Sequence, residues 1–415
     1  MVSTFHGLEL GKRGLSVAQT NITTTGHNIA NANTEGYSRQ KVNSSSTPSL
    51  DVWTNGQTGQ LGTGAQVDSI SRVRDRFLDA QYRDQSATLG EWTVREETLG
   101  RLEVAINEPS TTGLNAAMDQ LNAAWQNVQN NPADASAQAV LKERAEAFVE
   151  TAQAMNKAMK NITADLNSQK GAALEEAGSL MKQIGDLNAS IKKSGSLSND
   201  LQDKRDLLIG KLSEIVPVTV TAQKDGTAKV ELPGGIFKEV DGKYATDEGT
   251  GALVLNKKAD GNDVEVPGGK LAGIQKSLDV VDEYQEKLNT AVKKFAEANG
   301  DLFTPSTAAD FISGFGVNKD ADLTIFKTDN FEAAQSDFRT LVSKLGAQSQ
   351  TAINTAANHE SALLATDNRR QSVVGVSIDE EMANLIMFQH AYSAAARFVT
   401  TTDEMLDTII NRMAN

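Results

Sequence analysis

Both ends of this 415-residue chain carry a seven-residue repeat of large apolar residues, and this pattern restricts the possible fold more than any other feature. Near the N-terminus the repeat consists of Leu8, Leu15, Ile22 and Ile29, followed three positions later by the small residues Gly11, Ala18 and Thr25. Near the C-terminus it consists of Leu385, Tyr392, Val399, Leu406 and Met413, with Phe388, Ala395, Thr402 and Ile409 as the companion column. Large apolar residues that alternate with small ones predict a narrow helical seam, which a second helix can approach closely.

Each of the two seam-bearing helices is predicted to need a partner. A helix of this length is only marginally stable alone in water, because most helical stability comes from the packing of an apolar face. We therefore expect the two ends to pair with each other, with other subunits, or with both. Ser377 and Glu380 have the spacing of a capping box, which predicts that the C-terminal helix begins near Ile378.

Between these ends the chain is predicted to be mostly helical. Residues 41–70, with their serine run and repeated glycines, indicate a linker of loops and hairpins. Apolar residues at helical spacing resume at Arg72 and continue to residue 216. Pro109 and Pro132 mark helix boundaries within that stretch, because proline cannot continue a helix that precedes it.

One inserted module is indicated by a change of apolar period at Pro217. From there apolar residues alternate with polar ones, and glycine turns separate the segments. The alternating residues are Val218, Val220, Val230, Leu232, Leu253 and Leu255. This pattern predicts a small antiparallel β module over residues 217–269, and helical spacing returns at residue 270.

The predicted fold class is therefore mainly α. The architecture is an elongated multi-helix bundle with paired N- and C-terminal coiled-coil helices and a small inserted antiparallel β module. The predicted domains are a terminal coiled-coil inner domain over 1–40 plus 375–415, a helical body over 41–216 plus 270–374 with its hairpin linker at 41–70, and an outer β domain over 217–269.

Composition excludes several classes of partner and location. The chain has 40 basic and 54 acidic side chains, a net charge of −14, whereas phosphate binding needs clustered lysine and arginine. No run approaches the roughly 18 consecutive apolar residues of a membrane span, and the first residues lack the apolar stretch of a cleaved secretory signal. We therefore expect neither nucleic acid nor membrane as a partner.

The sequence offers no catalytic chemistry that can be named. There is no cysteine, and the four histidines, His6, His27, His359 and His390, do not stand at ligand spacing. The run from Pro267 to Leu271 lacks the earlier glycine and the hydroxyl residue of a phosphate-binding loop. No Gly-x-Ser-x-Gly elbow occurs. We expect no enzymatic activity, no cofactor and no metal site.

Sequence blocks near both ends of the chain resemble a known family. The run Asn28-Ile29-Ala30-Asn31-Ala32-Asn33-Thr34-Glu35-Gly36-Tyr37 closely resembles the N-terminal signature of bacterial flagellar rod, hook and hook-associated proteins, and Ser38-Arg39-Gln40 resembles its hook-associated variant. Residues 62–67 with Ile70, Arg72, Asp75, Phe77 and Leu78 are similar to the next block of that family. Residues 375–386, continued through Gln389 to Arg397, resemble its C-terminal block.

The matched motif positions lie in both blocks, and two blocks at opposite ends make the resemblance specific. They are Asn28, Ala30, Asn31, Thr34, Gly36, Tyr37, Arg39, Gln40, Asp379, Glu380, Glu381 and Gln389. The resemblance covers roughly the first 80 and the last 45 residues and persists weakly through the helical body.

The resemblance implies a structural subunit of the bacterial flagellum that joins hook to filament. Such a subunit assembles with copies of itself in a ring or helical array, with hook protein on one side and the second junction protein and filament on the other. The resemblance also implies an export chaperone and an extracellular location in the flagellum, reached by type III export without a cleaved signal. Termini that fold only on assembly would delay polymerisation, because ordering them costs entropy.

The same resemblance suggests roles for particular residues. An assembly seam is expected from the two repeats, that is from Leu8, Leu15, Ile22, Ile29, Leu385, Phe388, Tyr392, Val399, Leu406 and Ile409. The motif residues from Asn28 to Tyr37 are expected to shape the exit from the first helix. A local interpretation stays open for two of them: Gly36 as a helix C-terminal cap with positive φ, and Tyr37 as a packing anchor.

Three alternatives to the hook-associated interpretation are considered. Another axial subunit, from rod, hook or second junction, is disfavoured by the Arg39-Gln40 pair and by the block Asp379–Arg397. A secreted enzyme or adhesin with axial-type ends would need an inserted functional domain, and the interval 217–269 is short for one. A generic coiled-coil scaffold leaves the motif blocks outside the heptads unexplained.

Overall fold

The fold is mainly α, as predicted, in a computed structural model that describes residues 5–54, 57–194, 198–240, 243–304, 306, 310–321, 323 and 328–408. Its helices are α1 His6–Ala30, α2 Arg76–Ile106, α3 Leu114–Asn130, α4 Ala135–Ser194, α5 Asn199–Ile215, α6 Gly269–Ala298, α7 Phe311–Gly314, α8 Thr328–Val374 and α9 Ile378–Asp407. Its strands are β1 Gln40–Ser46, β2 Leu50–Thr54, β3 Gln57–Leu61, β4 Ala65–Arg72, β5 Thr219–Ala222, β6 Ala228–Glu231, β7 Glu239–Val240, β8 Lys243–Tyr244, β9 Phe303–Thr304 and β10 Gly316–Val317.

The two chain ends pair with each other as the antiparallel helices α1 and α9. The small-residue column of α1 makes this contact: Gly11 and Ala18 are buried, as is Thr25. A Cβ atom added at Gly11 would lie 2.5 Å from Val399 Cγ2, so the two helices approach too closely here to leave room for a side chain at position 11. The large residues of the α1 repeat flank this contact and are half-buried.

Of the two predicted helix starts near the motif blocks, one is confirmed and one is wrong. α9 begins at Ile378, and the Ser377 side chain accepts a hydrogen bond from the backbone N–H of Glu380, as the capping-box spacing predicted. The prediction that helical structure resumes at Arg72 is wrong, because Arg72 is the last residue of β4. α2 begins at Arg76 instead, since the Asp75 side chain caps its first backbone N–H groups.

The predicted hairpin linker consists of two antiparallel strand pairs. β1 pairs with β4 from Gln40↔Arg72 to Ser46↔Ala65, with an irregularity between Asn43 and Ser44. β2 and β3 form a hairpin that continues from these strands. β1 and β4 also contact α1, so the linker is held against the first terminal helix.

The body is a bundle in which α2, α4, α6 and α8 supply most of the core. The 60-residue helix α4 is about 90 Å long at 1.5 Å per residue, which makes the body elongated. Four aromatic rings cluster at one end of the core, Phe148, Phe295, Phe303 and Phe315, with centroids 4.5 to 6.2 Å apart. Among the described residues no helix is both long and apolar enough to cross a membrane.

The β module between α5 and α6 is antiparallel, as predicted, but irregular. β5 pairs with β6, and β7 with β8. Leu253 and Leu255, predicted as strand residues, form only isolated bridges with Thr246 and Phe237. Their alternation reflects burial of both side chains against the bundle rather than membership of a ladder. The domain boundaries given above stay predictions.

The glycine contact between α1 and α9 can be tested with a matched pair of variants. We expect Gly11→Ala to weaken the helix pair by about 1–3 kcal/mol, because Val399 is branched at Cβ and cannot rotate out of the way. Gly26→Ala lies on the same helix with no atom within 4 Å of the added Cβ, and should stabilise α1 by up to about 1 kcal/mol.

Hydrogen exchange of the α9 backbone amides measures this effect. Protection in α9 should fall in Gly11→Ala and hold or rise in Gly26→Ala. Equal protection in the two variants would contradict the close approach of the helices.

Candidate functional site

Asn28, at the end of α1, is buried and uses its whole hydrogen-bonding capacity. Its Nδ2 group donates to the Gln40 carbonyl at 2.9 Å and to Glu381 Oε2 at 3.0 Å. Its Oδ1 atom accepts from the Tyr37 hydroxyl at 2.8 Å and from the Gln40 N–H at 2.9 Å. One amide therefore ties together the first helix, the segment that follows it, and the C-terminal helix.

Glu381 is the C-terminal member of this contact and is only 2% exposed. It lies in the first turn of α9, where the helix dipole favours a carboxylate. Arg39 Nε lies 3.0 Å from Glu381 Oε1, and Arg39 Nη1 lies 3.2 Å from Glu380 Oε2. The Arg39 backbone N–H also donates to the Val374 carbonyl at the end of α8. A buried charge held this way is expensive to leave unpaired.

The turn after α1 is built by the polar motif residues. Asn31 Nδ2 donates to the His27 carbonyl at 3.0 Å, and the Thr34 hydroxyl donates to Asn31 Oδ1 at 3.2 Å. Gly36 has φ of +77°, and a Cβ atom there would lie 3.1 Å from Leu207 Cβ. The positive φ is as anticipated, but Gly36 is not a helix cap, because α1 already ends at Ala30 with Asn31 as its cap residue.

Tyr37 is both a packing residue and a hydrogen-bond donor. Its ring centroid lies 5.6 Å from that of His27, and its hydroxyl donates to Asn28 Oδ1. Burial raises the pKa of Tyr37 well above its ordinary value, and the nearby carboxylates of Asp200, Asp203 and Glu381 raise it further. The phenol therefore stays protonated and available as a donor over the physiological pH range.

The motif segment is anchored to the body through α5. The Ser38 backbone N–H and hydroxyl both donate to the Asp203 carboxylate, at 2.9 and 2.6 Å. Gln40 Nε2 donates to Asp200 Oδ1 at 2.9 Å, and Asn199 Nδ2 donates to Gln40 Oε1 at 3.1 Å. The Ser38–Asp203 bonds are buried and the Gln40–Asp200 bond is exposed, and together these contacts connect α5 to the segment after α1. We call this set of connected residues the polar joint: Asn28, Tyr37, Ser38, Arg39, Gln40, Asn199, Asp200, Asp203 and Glu381.

Arginines from β4 and α5 complete the polar joint. Arg72 Nη1 lies 2.7 Å from Asp203 Oδ1 and 2.8 Å from Asp206 Oδ2, and Arg205 Nη2 lies 2.9 Å from Asp206 Oδ1. Burial raises the pKa of Asp203 despite its bonds to Ser38 and Arg72. Burial also raises the pKa of Asp206, but the positive charges of Arg72, Arg74 and Arg205 outweigh this effect and lower the pKa below its ordinary value.

The sequence did not indicate the residues that α5 contributes to this site. Asp203, Arg205 and Asp206 were not singled out from the sequence, yet Asp203 and Arg205 are buried. The sequence carried one usable signal, the presence of Arg72 in a motif block, but it did not indicate a partner 131 positions away.

The predicted assembly seam is only partly enclosed by the α1–α9 pair. The residues Leu8, Leu15, Ile22, Ile29, Leu385, Phe388, Val399 and Leu406 are half-buried, and Tyr392 is exposed. Ile409 lies outside the described residues. The seam's role in assembly stays a prediction, as do functional roles for the exposed motif residues Ala30, Asp379 and Gln389.

The outer face of α9 is unusually apolar for a solvated surface. Five large apolar side chains of α9 are between 45% and 60% exposed: Ile378, Met382, Ile386, Met387 and Met405. Contiguous exposed apolar patches mark sites of protein contact. In the described part of the chain, no group of three or more His, Cys, Asp or Glu residues could hold a metal ion.

The chain matches three family models. The model described as flagellar hook-associated protein FlgK helical domain matches residues 99–302. The model described as flagella basal body rod protein matches residues 8–37, and that described as flagellar basal body rod FlgEFG protein C-terminal matches residues 370–413. The two rod matches overlap the helices and motif blocks that the polar joint connects.

Named relatives match over different shares of the chain. The chain is 31% identical to flagellar hook-associated protein 1 of Bacillus subtilis (strain 168), over 100% of this chain and 99% of that protein. It is 26% identical to flagellar hook-associated protein 1 of Escherichia coli (strain K12), over 85% of this chain and 64% of that protein. The solved flagellar hook junction protein FlgK from Burkholderia pseudomallei aligns with a TM-score of 0.45 and 24% identity, over 54% of this chain and 43% of that one.

The buried and exposed glutamates of α9 make a matched test of the polar joint. Glu381→Ala should lower the free energy of opening α1 from α9 by roughly 1–3 kcal/mol, because Asn28 and Arg39 lose a buried acceptor. Glu380→Ala removes only an exposed ion pair and should change it by less than about 0.5 kcal/mol. Amide hydrogen exchange in α1 measures the opening free energy of both variants. Equal changes would show that the buried Glu381 contributes no more to this contact than the exposed Glu380.

Tyr37 predicts an alkaline limit to the stability of the joint. A phenol ionises near pH 10 in the unfolded chain, whereas the pKa of Tyr37 is higher in the folded one. The folded state then binds more protons than the unfolded state above pH 10, so the free energy of unfolding falls as pH rises from there.

Urea unfolding at pH 9 and pH 11 tests this limit. Tyr37→Phe should be less stable at pH 9, because the bond to Asn28 is lost, but should lose less stability than the parent between the two pH values. Tyr392→Phe, at an exposed position, should keep the parental pH dependence. An unchanged drop in Tyr37→Phe would refute the role of the buried phenol.

Proposed function

This chain belongs to the family of flagellar hook-associated protein 1, and we propose that it is a structural subunit of the bacterial flagellum that joins the hook to the filament. The observation that carries this proposal is the buried hydrogen bond between Asn28 and Glu381. It joins the N-terminal and C-terminal motif blocks across 353 positions of the sequence. Full-length similarity to the Bacillus subtilis relative supports the assignment.

Assembly would use the apolar face that the α1–α9 pair leaves exposed. The pair encloses its small-residue column but not the outer side of α9, where Ile386 and Met387 are each 54% exposed. Neighbouring copies in a ring or helical array would cover this face. Contacts between unlike faces of identical subunits generate arrays rather than closed dimers, which suits a tubular axis.

Ordering of the ends on assembly belongs to the same proposal. α1 is about 38 Å long and α9 about 45 Å, and the polar joint and the linker strands connect this pair to the body. Their apolar faces gain most of their burial from neighbouring copies. Free subunits would then polymerise slowly until an existing end offers a template.

Partners and location follow from the proposed position. The hook protein would contact this subunit on one side, and the second junction protein with the filament on the other. Export through the flagellar type III apparatus without a cleaved signal, with a dedicated chaperone, would deliver it to the flagellum outside the cell. We propose a structural and not an enzymatic role.

A rod or hook subunit is the nearest alternative, because the family models matched by residues 8–37 and 370–413 are both described as rod proteins. Residues 99–302 favour the hook-associated assignment, since the model they match is described as a hook-associated helical domain.

Deletion of the gene tests the junction role directly. We expect cells that carry hooks without filaments and that release monomeric flagellin into the medium, because the filament lacks its adaptor. Electron microscopy of the cells and immunoblotting of the medium measure both effects. Normal filaments would rule out the proposal, and absent hooks would move the protein to the rod or hook.

Complementation with matched variants tests the proposed α9 face. Ile386→Glu places a charge on the exposed apolar face and should leave the helix pair folded while abolishing filaments. Val104→Glu makes the same kind of change at an 80% exposed position on α2 and should restore filaments fully. Filaments with Ile386→Glu would exclude this face as the contact.

A further inference from the structure

Arg83, in the second turn of α2, is half-buried and has neither a hydrogen bond nor an ion pair among the described residues. It lies four positions after Asp79, on the face of the helix where a carboxylate would ordinarily accept from it. The Asp79 carboxylate is instead bound by Arg74, through Nε at 3.0 Å and Nη2 at 2.6 Å. Asp84 is exposed and, as the next residue of the helix, faces another direction. The helix that carries Arg83 therefore offers it no acceptor.

The neighbouring helix α5 offers no acceptor either. Asp206 is the carboxylate of α5 whose charge acts on Arg83. Its two oxygens are already bound by Arg72 at 2.8 Å and by Arg205 at 2.9 Å. Burial lowers the pKa of Arg83 below its ordinary value, and the positive charge of Arg74 lowers it further despite the two nearby carboxylates. Arginine stays protonated in proteins, so a partly desolvated charge is left without a partner in the described part of the chain.

Two exposed residues extend this surface at the start of α2. Arg76 lies seven positions before Arg83, on the same side of the helix, and it too has no partner among the residues described. Phe77, next to Arg76, is 73% exposed. Arginine and aromatic side chains are enriched where proteins contact one another. We call Arg76, Phe77 and Arg83 the arginine face.

The first turn of α9 offers the complementary chemistry. Asp379 and Glu380 are exposed there, and the apolar side chains of Ile378 and Met382 next to them are 45% and 52% exposed. Glu380 pairs with Arg39, whereas Asp379 has no hydrogen bond or ion pair among the described residues. Within the described part of one chain, no ion pair joins this acidic turn to the arginine face, so a contact between them would need two molecules.

The net charge of the chain makes such a contact selective. At −14, two copies repel each other on average, so they approach most favourably where one presents cations without partners. The arginine face presents two such cations beside an exposed ring. The acidic turn presents a carboxylate without a partner beside exposed aliphatic side chains.

We propose that the arginine face of one copy binds the first turn of α9 in a neighbouring copy, where Arg83 donates to Asp379 and Phe77 packs against the apolar side chains beside it. This rests on the proposed assembly of copies into an array, and it names the surface that covers the beginning of the exposed apolar face of α9. The two surfaces are unlike, so the contact repeats from copy to copy instead of closing a dimer.

Crosslinking between copies tests the contact, because the chain has no cysteine and introduced thiols react without background. Cells would produce two differently tagged copies, one with Phe77→Cys and one with Ile378→Cys. Treatment of isolated flagella with a short bismaleimide should give a dimer that carries both tags. Val104→Cys in place of Phe77→Cys, at an 80% exposed position of the same helix, should give none.

The outcomes separate this contact from the junction role. Flagella that contain both copies but give no doubly tagged dimer, or give as much with Val104→Cys, would overturn the contact and leave the junction role standing. Absence of both copies from isolated flagella would overturn the contact and the proposed function together.

Charge variants test whether Arg83 and Asp379 are partners. Arg83→Gln, added to the Phe77→Cys copy, should lower the dimer yield about tenfold, and Asp379→Asn, added to the Ile378→Cys copy, should do the same. Both changes together should lower the yield no further than either alone, because they remove one pair. Additive losses would contradict the pairing.

The stability of the free chain distinguishes an intermolecular role of Arg83 from an internal one. The free energy of urea unfolding should stay equal or rise in Arg83→Gln, because the substitution removes a partly buried charge that has no internal acceptor. Lys211→Gln, at an exposed position on α5, should change neither stability nor dimer yield. Lower stability with unchanged dimer yield in Arg83→Gln would overturn the proposal.

Discussion

The hydrogen bond between Asn28 and Glu381 is the contact on which the arrangement of the chain ends depends. Both groups are buried, and either one without the other would leave a polar atom or a charge unpaired in the interior. Apolar contacts alone allow the two helices to shift along each other, since the large apolar residues of a repeat are nearly equivalent. A single buried polar pair does not, so it fixes the antiparallel register in which Gly11 meets Val399.

The polar joint also transmits the position of the body to the terminal helices. Ser38 and Gln40 bind α5, Arg39 binds α9, and Arg72 brings the linker strand to the same carboxylates. Ser38, Arg39 and Gln40 each use both backbone and side chain in these contacts, so α1, α5 and α9 hold this short segment together. Within this chain, the motif residues that resemble an assembly signature make internal contacts that connect different elements.

The sequence predicted what short-range patterns encode. The small column at Gly11 and the cap at Ser377 depend on spacing within one helix, and both are found as expected. Asp203 and Arg205 could not be foreseen, because a charged residue shows no sign of burial until its distant partner is known. The misplaced helix start at Arg72 has another cause: Arg72 pairs with Gln40 in the β1–β4 ladder, and the Asp75 cap begins α2 only at Arg76.

The 353-position separation of Asn28 and Glu381 has a consequence for synthesis. α1 is made first and α9 last, so the amide of Asn28 waits for its acceptor until almost the whole chain exists. A product cut short anywhere before Glu381 carries an N-terminal helix whose buried polar end has no counterpart. A chain that ends before Glu381 therefore cannot make the polar contact that fixes the register of α1 against α9.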